Sequence, residues 1–138
     1  MVIHNKLIII GSGPAGLTSS IYPARGGIEP LIISGNEPGG KLMYTTEVEN
    51  FLGFDQPILG HTLIEKMRKQ AKRFGSRFVN KAISSADFSS KPFRVKCSCL
   101  NDNLNKEEYF ADSSFYKINR RFLALSFVTY LNRAISFI

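Results

Sequence analysis

Residues 6–17 read Lys-Leu-Ile-Ile-Ile-Gly-Ser-Gly-Pro-Ala-Gly-Leu. Four consecutive apolar residues lead into Gly11, Gly13 and Gly16, and sequence that favours a helix follows. This order of strand, turn and helix is the context in which Gly-x-Gly-x-x-Gly binds the pyrophosphate of a dinucleotide. The first glycine permits a tight turn, the second lets the backbone approach the phosphates, and the third lets the helix lie close to the strand. We therefore predict a dinucleotide-binding turn here.

The helix after the turn would supply the other half of this anion site. Its first N–H groups and the positive end of its dipole would face the phosphates. Pro14 suits the first helical turn, where the N–H that proline lacks is not needed. Pro23 is expected to shorten or kink the helix, and Gly26 and Gly27 are expected to end it. The alternative is a glycine-rich turn that binds no ligand.

A second apolar run predicts the next strand. Residues 29–34 read Glu-Pro-Leu-Ile-Ile-Ser, which indicates a buried strand parallel to the first and completes a right-handed βαβ unit. In many dinucleotide-binding domains, an acidic residue at the end of this strand holds the ribose hydroxyls. Ser34 takes that place here. A serine can still hydrogen-bond a ribose, although more weakly than a carboxylate does.

The composition describes a globular protein and gives no separate signal for nucleic acid. The chain has 138 residues, of which 43% are hydrophobic and 21% are charged, enough for one domain with a core. The net charge is +7, but residues 1–112 hold 14 basic and 11 acidic groups, so most of the excess lies in residues 113–138. Six basic residues between Lys66 and Arg77 alternate with apolar ones at helical spacing, which indicates a solvated helix face. We therefore expect no nucleic-acid partner.

The cysteines and histidines predict neither a catalytic residue nor a metal site. Cys97 and Cys99 are two apart on an alternating strand, which places their Cα atoms about 6.5 to 7 Å apart, at the edge of the disulfide range. His4 and His61 have no partners at metal-ligand spacing. The first apolar run is too short for a secretory signal, so we expect a cytoplasmic location, where thiols usually stay reduced.

Three motifs in a fixed order carry a resemblance to a known family. They are Gly-Ser-Gly-Pro-Ala-Gly at 11–16, Glu-Pro-Gly-Gly-Lys-Leu-Met at 37–43 and Thr-Thr-Glu-Val-Glu-Asn-Phe at 45–51. With a helix over residues 60–71 that ends at Phe74 and Gly75, they resemble the N-terminal part of a bacterial-type thioredoxin reductase, an FAD-dependent pyridine nucleotide-disulfide oxidoreductase. The likeness extends from about Lys6 to Asp112.

The resemblance implies a homodimeric flavoprotein that passes electrons from NADPH through FAD to a Cys-x-x-Cys pair and then to thioredoxin. It also implies which residues of this chain hold FAD. The pyrophosphate would lie on Gly11, Ser12, Gly13, Pro14, Ala15 and Gly16, and the adenosine end on Ser34, Gly35, Asn36 and Glu37. The path to the flavin ring would be lined by Gly39, Gly40, Lys41, Leu42, Thr46 and Asn50. Lys41 stands where the family usually has glutamine, and Leu52 where it usually has proline.

The fold class predicted is α/β. Residues 77–79 and 83–88 read as strands, residues 92–99 alternate cleanly, and residues 107–111 return as the next strand of an antiparallel meander. Residues 39–43 are expected to form a flexible loop. We expect a partial FAD/NAD(P)-binding, Rossmann-like domain over residues 1–112, with a parallel sheet and a small antiparallel β-meander.

Residues 113–138 depart from the family pattern and are expected to form a divergent tail, helical or poorly ordered. The family would continue there with a buried strand and an Ala-Thr-Gly turn, and this chain has neither motif. The nicotinamide domain with its NADPH site and the Cys-x-x-Cys pair do not occur in these 138 residues. The apolar stretch 122–138 is shorter than the about 20 residues that span a bilayer, so no membrane span is expected. The basic residues Lys117, Arg120 and Arg121 before it would allow contact with a membrane surface, but a helix packed on the sheet, or poor order, is expected instead of membrane contact.

The resemblance therefore predicts a thioredoxin reductase-like, FAD-dependent oxidoreductase that is truncated and inactive as this chain. Hydride transfer needs a nicotinamide held against a flavin, and only part of one binding site is present. Two alternatives stay open. One is a non-catalytic module that binds FAD or another nucleotide, and the other is a protein whose tail binds a partner or a membrane surface.

Overall fold

The structure is a computed structural model that describes residues 2–99, 102–118 and 121–125. The elements in these residues are β1 (Val2–Ile10), α1 (Pro14–Arg25), β2 (Leu31–Ile33), a 3₁₀-helix (Gly40–Tyr44), β3 (Glu47–Val48), β4 (Ile58–Leu59), α2 (Gly60–Arg73), β5 (Arg77–Val79), β6 (Ala82–Asp87), β7 (Phe93–Cys99), β8 (Asp102–Ile118) and β9 (Arg121–Leu125). Seven strands form one sheet in the order β5-β2-β1-β8-β7-β6, with β9 paired to β8, and β3 pairs with β4 in a separate ribbon.

Strand β1 lies inside the parallel part of the sheet. It pairs with β2, which pairs in turn with β5, and both pairings are parallel. Ile8 and Ile9 point to opposite faces, and neither side chain is exposed. A parallel strand that is covered on both faces has apolar residues at every position, so residues 7–10 do not alternate between apolar and polar side chains. The predicted βαβ unit and the α/β fold class are confirmed.

The predicted antiparallel meander is present and larger than expected. Strand β7 pairs antiparallel with β6 on one side and with β8 on the other. Phe93, Val95 and Cys97 share one face of β7 and are all buried, as the alternation predicted. On its other side, β8 pairs in parallel with β1, for example Ile3 with Tyr109, and this pairing continues past the meander as far as Ile10 and Tyr116. One strand thus joins the meander to the parallel strands.

Two clusters of apolar side chains form the core. One packs the helices on the sheet, with Leu17 of α1 and Ile64 of α2 against Ile9 and Ile32. The other lies between the parallel strands and the meander, with Ile8 and Ile33 among its members; the others are Leu31, Val95, Cys97, Tyr109 and Ala111. Within the described part of the chain, neither helix has the length and apolar character required to cross a membrane.

The structure differs from the sequence-based expectation in two segments. Residues 39–43 do not form a flexible loop, since Gly40–Tyr44 is a 3₁₀-helix in which the Thr45 N–H donates to the Leu42 carbonyl. Residues 113–118 continue β8, and residues 121–125 form β9, where a helix or poor order was expected. Strand β8 continues because β1 offers it an unpaired edge of N–H and C=O groups. Residues 126–138 lie outside the described residues, and the division of the chain at residue 112 stays a prediction.

The first helix ends where the sequence predicted. Helix α1 passes through Pro23 and stops two residues later, at Arg25. The Gly26 N–H donates to the Tyr22 carbonyl, and Gly27 has φ +77°, a conformation that glycine adopts readily after a helix. Proline removes one backbone hydrogen bond of a helix. Because Pro23 lies in the last turn, only two residues of α1 follow it, and the helix is shortened rather than broken in its middle.

Candidate dinucleotide-binding site

The turn from β1 to α1 is built on two glycines. Gly11 has φ +104°, and its N–H donates to the Ile33 carbonyl over 2.8 Å, which ties the turn to the end of β2. A Cβ atom on Gly16 would lie 1.9 Å from the Gly11 carbonyl oxygen. No side chain fits there, so the helix lies against the turn as closely as the fingerprint predicts.

The N-terminus of α1 is open. Gly13 is its N-cap residue, with extended backbone, and no side chain caps the helix. The first turn carries no acidic residue. The first N–H groups of a helix have no partner within it, and together with the helix dipole they favour an anion. Helices of soluble proteins usually begin with a serine, threonine, aspartate or asparagine cap, so this bare end is suited to bind a phosphate.

Ser12 brings the second motif to this turn. The Gly39 N–H donates to Ser12 Oγ over 3.0 Å, in a hydrogen bond that is buried and spans 27 residues. Gly39 has φ +98°, and a Cβ on it would lie 2.6 Å from Met43 Cγ. A Cβ on Gly40 would lie 3.7 Å from Gly13 Cα. The two glycine motifs therefore form a single wall of backbone, although 27 residues separate them in sequence.

Gly60 is a structural residue that the sequence analysis did not single out. A Cβ on it would lie 2.1 Å from the Leu42 carbonyl oxygen, and its N–H donates to the Thr45 carbonyl over 3.2 Å. Helix α2 therefore begins directly against the 3₁₀-helix and holds it in place. One signal for this contact was present in the sequence. Gly60 is the first residue of the helix rather than a capping residue, and glycine is unfavourable within a helix unless the packing requires it.

Ser34 is buried at the end of β2 without a hydrogen-bond partner for its hydroxyl. Its exposed fraction is 7%, and Ser34 Oγ has no partner among the described residues, while the Ser34 N–H donates to the Val79 carbonyl. Ile32, two residues earlier, faces the helices, so strand alternation directs Ser34 to the same side. An unpaired buried hydroxyl costs about 1 to 3 kcal/mol unless a ligand or water satisfies it. The place where the sequence predicted a ribose contact thus has a polar atom to offer.

The other predicted site residues are placed as follows. Pro14 and Ala15 form the first turn of α1. Gly35 has φ +76°, and Asn36, Glu37, Lys41, Thr46 and Asn50 are exposed. Leu42 packs against the core cluster beneath the helices. The structure thus brings residues 11–16, 34 and 39–40 together, whereas Thr46 and Asn50 lie on either side of β3.

Two carboxyl groups in the antiparallel strands have lowered pKa values. The pKa of Glu107 is held below its ordinary value by two neighbours. The Lys81 ammonium lies 2.5 Å from Glu107 Oε1, and the Tyr109 hydroxyl donates to Oε2. The hydroxyl and N–H of Ser89 donate to Asp87 and lower its pKa, and Arg94 adds to the effect. These contacts tie the meander together. Among the residues that the structure describes, no three His, Cys, Asp or Glu side chains are grouped as a metal site requires.

The geometry accommodates the pyrophosphate of a dinucleotide. The Gly11 turn, the open end of α1 and the unpaired Ser34 hydroxyl offer N–H donors and a hydroxyl on one side of the sheet, at the carboxyl ends of β1 and β2. Ligands of open α/β sheets bind at this edge. The fold defines an α/β protein of the Rossmann-like class, whose domains commonly bind dinucleotides.

Comparison with curated proteins identifies the family. The chain is 43% identical to the thioredoxin reductase of Rickettsia bellii over 113 residues, which are 82% of this chain and 34% of that protein. It is 50% identical to the thioredoxin reductase of Chlamydia trachomatis over 96 residues, or 67% of this chain and 31% of that protein. No family model matches. The chain is homologous to thioredoxin reductases and spans about a third of the length of these curated relatives.

Solved structures agree with this assignment. The thioredoxin reductase of Giardia duodenalis superposes with a TM-score of 0.73 at 32% identity, covering 83% of this chain and 35% of that one. An atypical thioredoxin reductase from Desulfovibrio vulgaris Hildenborough superposes with a TM-score of 0.70 at 29% identity, covering 91% of this chain and 40% of that one. The predicted resemblance to the N-terminal part of a thioredoxin reductase is confirmed.

Proposed function

We propose that this chain binds FAD at the β1–α1 turn and forms the flavin-binding part of a thioredoxin reductase-like oxidoreductase. The observation that carries the proposal is the N-terminus of α1, which has neither a side-chain cap nor an acidic residue in its first turn. A helix end of this kind beside a three-glycine turn is suited to a pyrophosphate. The homology to thioredoxin reductases supports FAD, rather than NAD, as the dinucleotide.

Three groups of residues would hold the cofactor. The backbone N–H groups of residues 11–16 would bind the pyrophosphate, and Gly13 would let it approach because its added Cβ would have only one neighbour, at 3.7 Å. Ser34, with Gly35, Asn36 and Glu37, would hold the adenosine end. Gly39 and Gly40 would form the wall beyond the phosphates, and Lys41, Leu42, Thr46 and Asn50 would lie toward the flavin ring.

The chemistry proposed for the family is electron transfer from NADPH to a disulfide. Bound FAD supplies a ring that accepts a hydride and passes electrons on. This chain's residues would bind and orient that ring, and the closely packed backbone around Gly39 would exclude water from one side of the phosphates. By itself, the 138-residue chain would not reduce disulfides, because its two cysteines are Cys97 and Cys99, and Cys97 is buried in β7.

The partners and location proposed follow from the homologues. Thioredoxin, NADPH and a second copy of the chain would be partners of the complete enzyme, and the cytoplasm its location. A non-catalytic module that binds FAD or a similar nucleotide is the second candidate, favoured by the buried hydrogen bond between Ser12 and Gly39, which joins the two glycine motifs within these residues. The proposal that the tail binds a partner or a membrane concerns residues 126–138 in large part, and these lie outside the described residues.

The test is the flavin content of the purified chain. We expect visible flavin absorbance that co-elutes with the protein, or uptake of one FAD per chain by the apoprotein. Protein that takes up no FAD would refute the proposal. Consumption of NADPH in the presence of thioredoxin and added FAD would show that the chain is active alone, and would reject the second candidate together with the proposed inactivity.

A further inference from the structure

The 3₁₀-helix places a lysine beside the open end of α1. Gly40, its first residue, lies against the start of α1, since a Cβ on Gly40 would be 3.7 Å from Gly13 Cα. Lys41 is the next residue, and consecutive Cα atoms are about 3.8 Å apart. The Lys41 side chain is exposed, and its Cα is one residue away from the contact between Gly40 and Gly13. A lysine side chain at this position is long enough to reach phosphates held at the N-terminus of α1.

The charge of Lys41 is not balanced within the described protein. Lys41 forms no ion pair with any residue that the structure describes. The first turn of α1, which lies beside it, carries no acidic residue. A lysine next to the positive end of a helix is repelled by it, and an anion that lies between them is attracted by both. The arrangement therefore favours a ligand with negative charge.

A second observation concerns Ser34, which follows β2 and lies next to the residue that holds the Gly11 turn. Ser34 is 7% exposed, and its Oγ has no hydrogen-bond partner among the described residues. Because Ile32 faces the helices, alternation along the chain would direct Ser34 to the same side of the sheet. A polar atom left in this state is explained when a bound molecule supplies its partner. Among the described residues around the β1–α1 turn there are thus a buried hydroxyl without a partner and an exposed lysine without an ion pair.

We propose that Lys41, which begins the path toward the flavin ring directly after Gly40, reaches back to pair with the pyrophosphate of the bound nucleotide and makes the affinity for FAD depend on ionic strength. The inference rests on the proposed function, because it names a residue that selects the ligand of that same site. An uncharged side chain at position 41 could hydrogen-bond a ligand but could not attract a phosphate over several ångströms. Lys41 is in this sense a determinant of specificity for a charged nucleotide.

The experiment measures the dissociation constant of FAD by its fluorescence, at low and at high NaCl, for the full chain and three variants. Lys41→Gln removes the charge, Lys41→Arg keeps it, and Lys69→Gln removes an equal charge from an exposed position on α2. We expect Lys41→Gln to bind FAD about fivefold more weakly than the unchanged chain at low salt, as for an exposed ion pair, and equally well at high salt. Lys41→Arg and Lys69→Gln are expected to stay within about twofold of the unchanged chain.

Two results would overturn the inference. The first is equal affinity of Lys41→Gln and the unchanged chain at low salt. The second is a loss of affinity that is the same at both salt concentrations, because an uncharged contact would then be responsible. A chain that binds no FAD at all would instead refute the proposed function, so the two failures are distinguishable. Thermal unfolding of each variant checks that the exposed substitutions leave the fold intact.

Discussion

Gly16 lies so close to Gly11 that a Cβ on Gly16 would be 1.9 Å from the Gly11 carbonyl oxygen. The contact is between backbones, so no change of rotamer relieves it. By contrast, a Cβ on Gly13 would have a single neighbour, the Gly39 carbonyl oxygen at 3.7 Å. The two glycines therefore serve different purposes: Gly16 permits the fold, and Gly13 leaves room for a ligand.

Substitution separates these purposes. We expect Gly16→Ala to lower the free energy of unfolding by about 2 to 4 kcal/mol, because the helix must move off the turn. Gly13→Ala, the matched control, is expected to change stability by less than about 1 kcal/mol but to weaken FAD binding at least tenfold. Urea unfolding and FAD titration measure the two effects. A Gly16→Ala variant as stable as the unchanged chain would contradict the geometry.

Ser12 is expected to hold the two glycine motifs together. Ser12→Ala leaves the buried Gly39 N–H without its acceptor, so we expect a loss of about 1 to 3 kcal/mol in the free energy of unfolding. Ser19 is the control, because its hydroxyl donates to a helix carbonyl, Gly16 O, within the same helix. Ser19→Ala should cost less than about 0.5 kcal/mol. Similar losses in both variants would argue against the proposed role of Ser12.

Ser34 offers a test of function against stability. We expect Ser34→Ala to leave the apoprotein equally stable or up to about 1 kcal/mol more stable, because an unpaired buried hydroxyl is removed. The same variant should bind FAD about fivefold more weakly, since the ligand loses one hydrogen bond.

Ser76 provides the matched control for Ser34. Its hydroxyl is also buried and unpaired, but it lies after α2, just before β5. Ser76→Ala should have the same effect on stability and none on FAD affinity. Calorimetric unfolding and fluorescence titration compare the two serines. Equal FAD affinity in both variants would remove Ser34 from the site.

Glu107 is expected to make stability depend on pH. Lys81 and the Tyr109 hydroxyl lower its pKa below the ordinary value of 4.5, so the folded protein favours the ionised form. This contribution is present above the ordinary pKa and is lost as the pH falls through the lowered one. We expect it to be below about 1 kcal/mol, because the pair is partly exposed. Urea unfolding at neutral pH and at pH values below 4.5 should show a smaller pH effect in Glu107→Gln than in the unchanged chain.

Helices and strands with local signals were predictable from the sequence. The apolar runs of β1 and β2, the helix of residues 60–71 and the alternation of β7 each appear as a pattern of residue types within a few neighbouring positions. The pyrophosphate turn was predictable for the same reason, because three glycines within six residues specify it. The extension of β8 over residues 113–118 was missed, since its pairing with β1 joins residues such as Ile8 and Ser114 that are far apart in sequence.

Residue types and their spacing were sufficient to predict the class of the fold, the position of the glycine turn between β1 and α1 and the family resemblance, because both are local properties of the chain. The three-dimensional structure was needed to show that Ser12 accepts a hydrogen bond from Gly39, that Ser34 Oγ has no partner among the described residues and that Gly40, next to Lys41, lies against Gly13. These are relationships across the fold. A hydrogen bond over 27 residues or an unpaired buried atom exists only once packing has excluded water and placed each group among its neighbours.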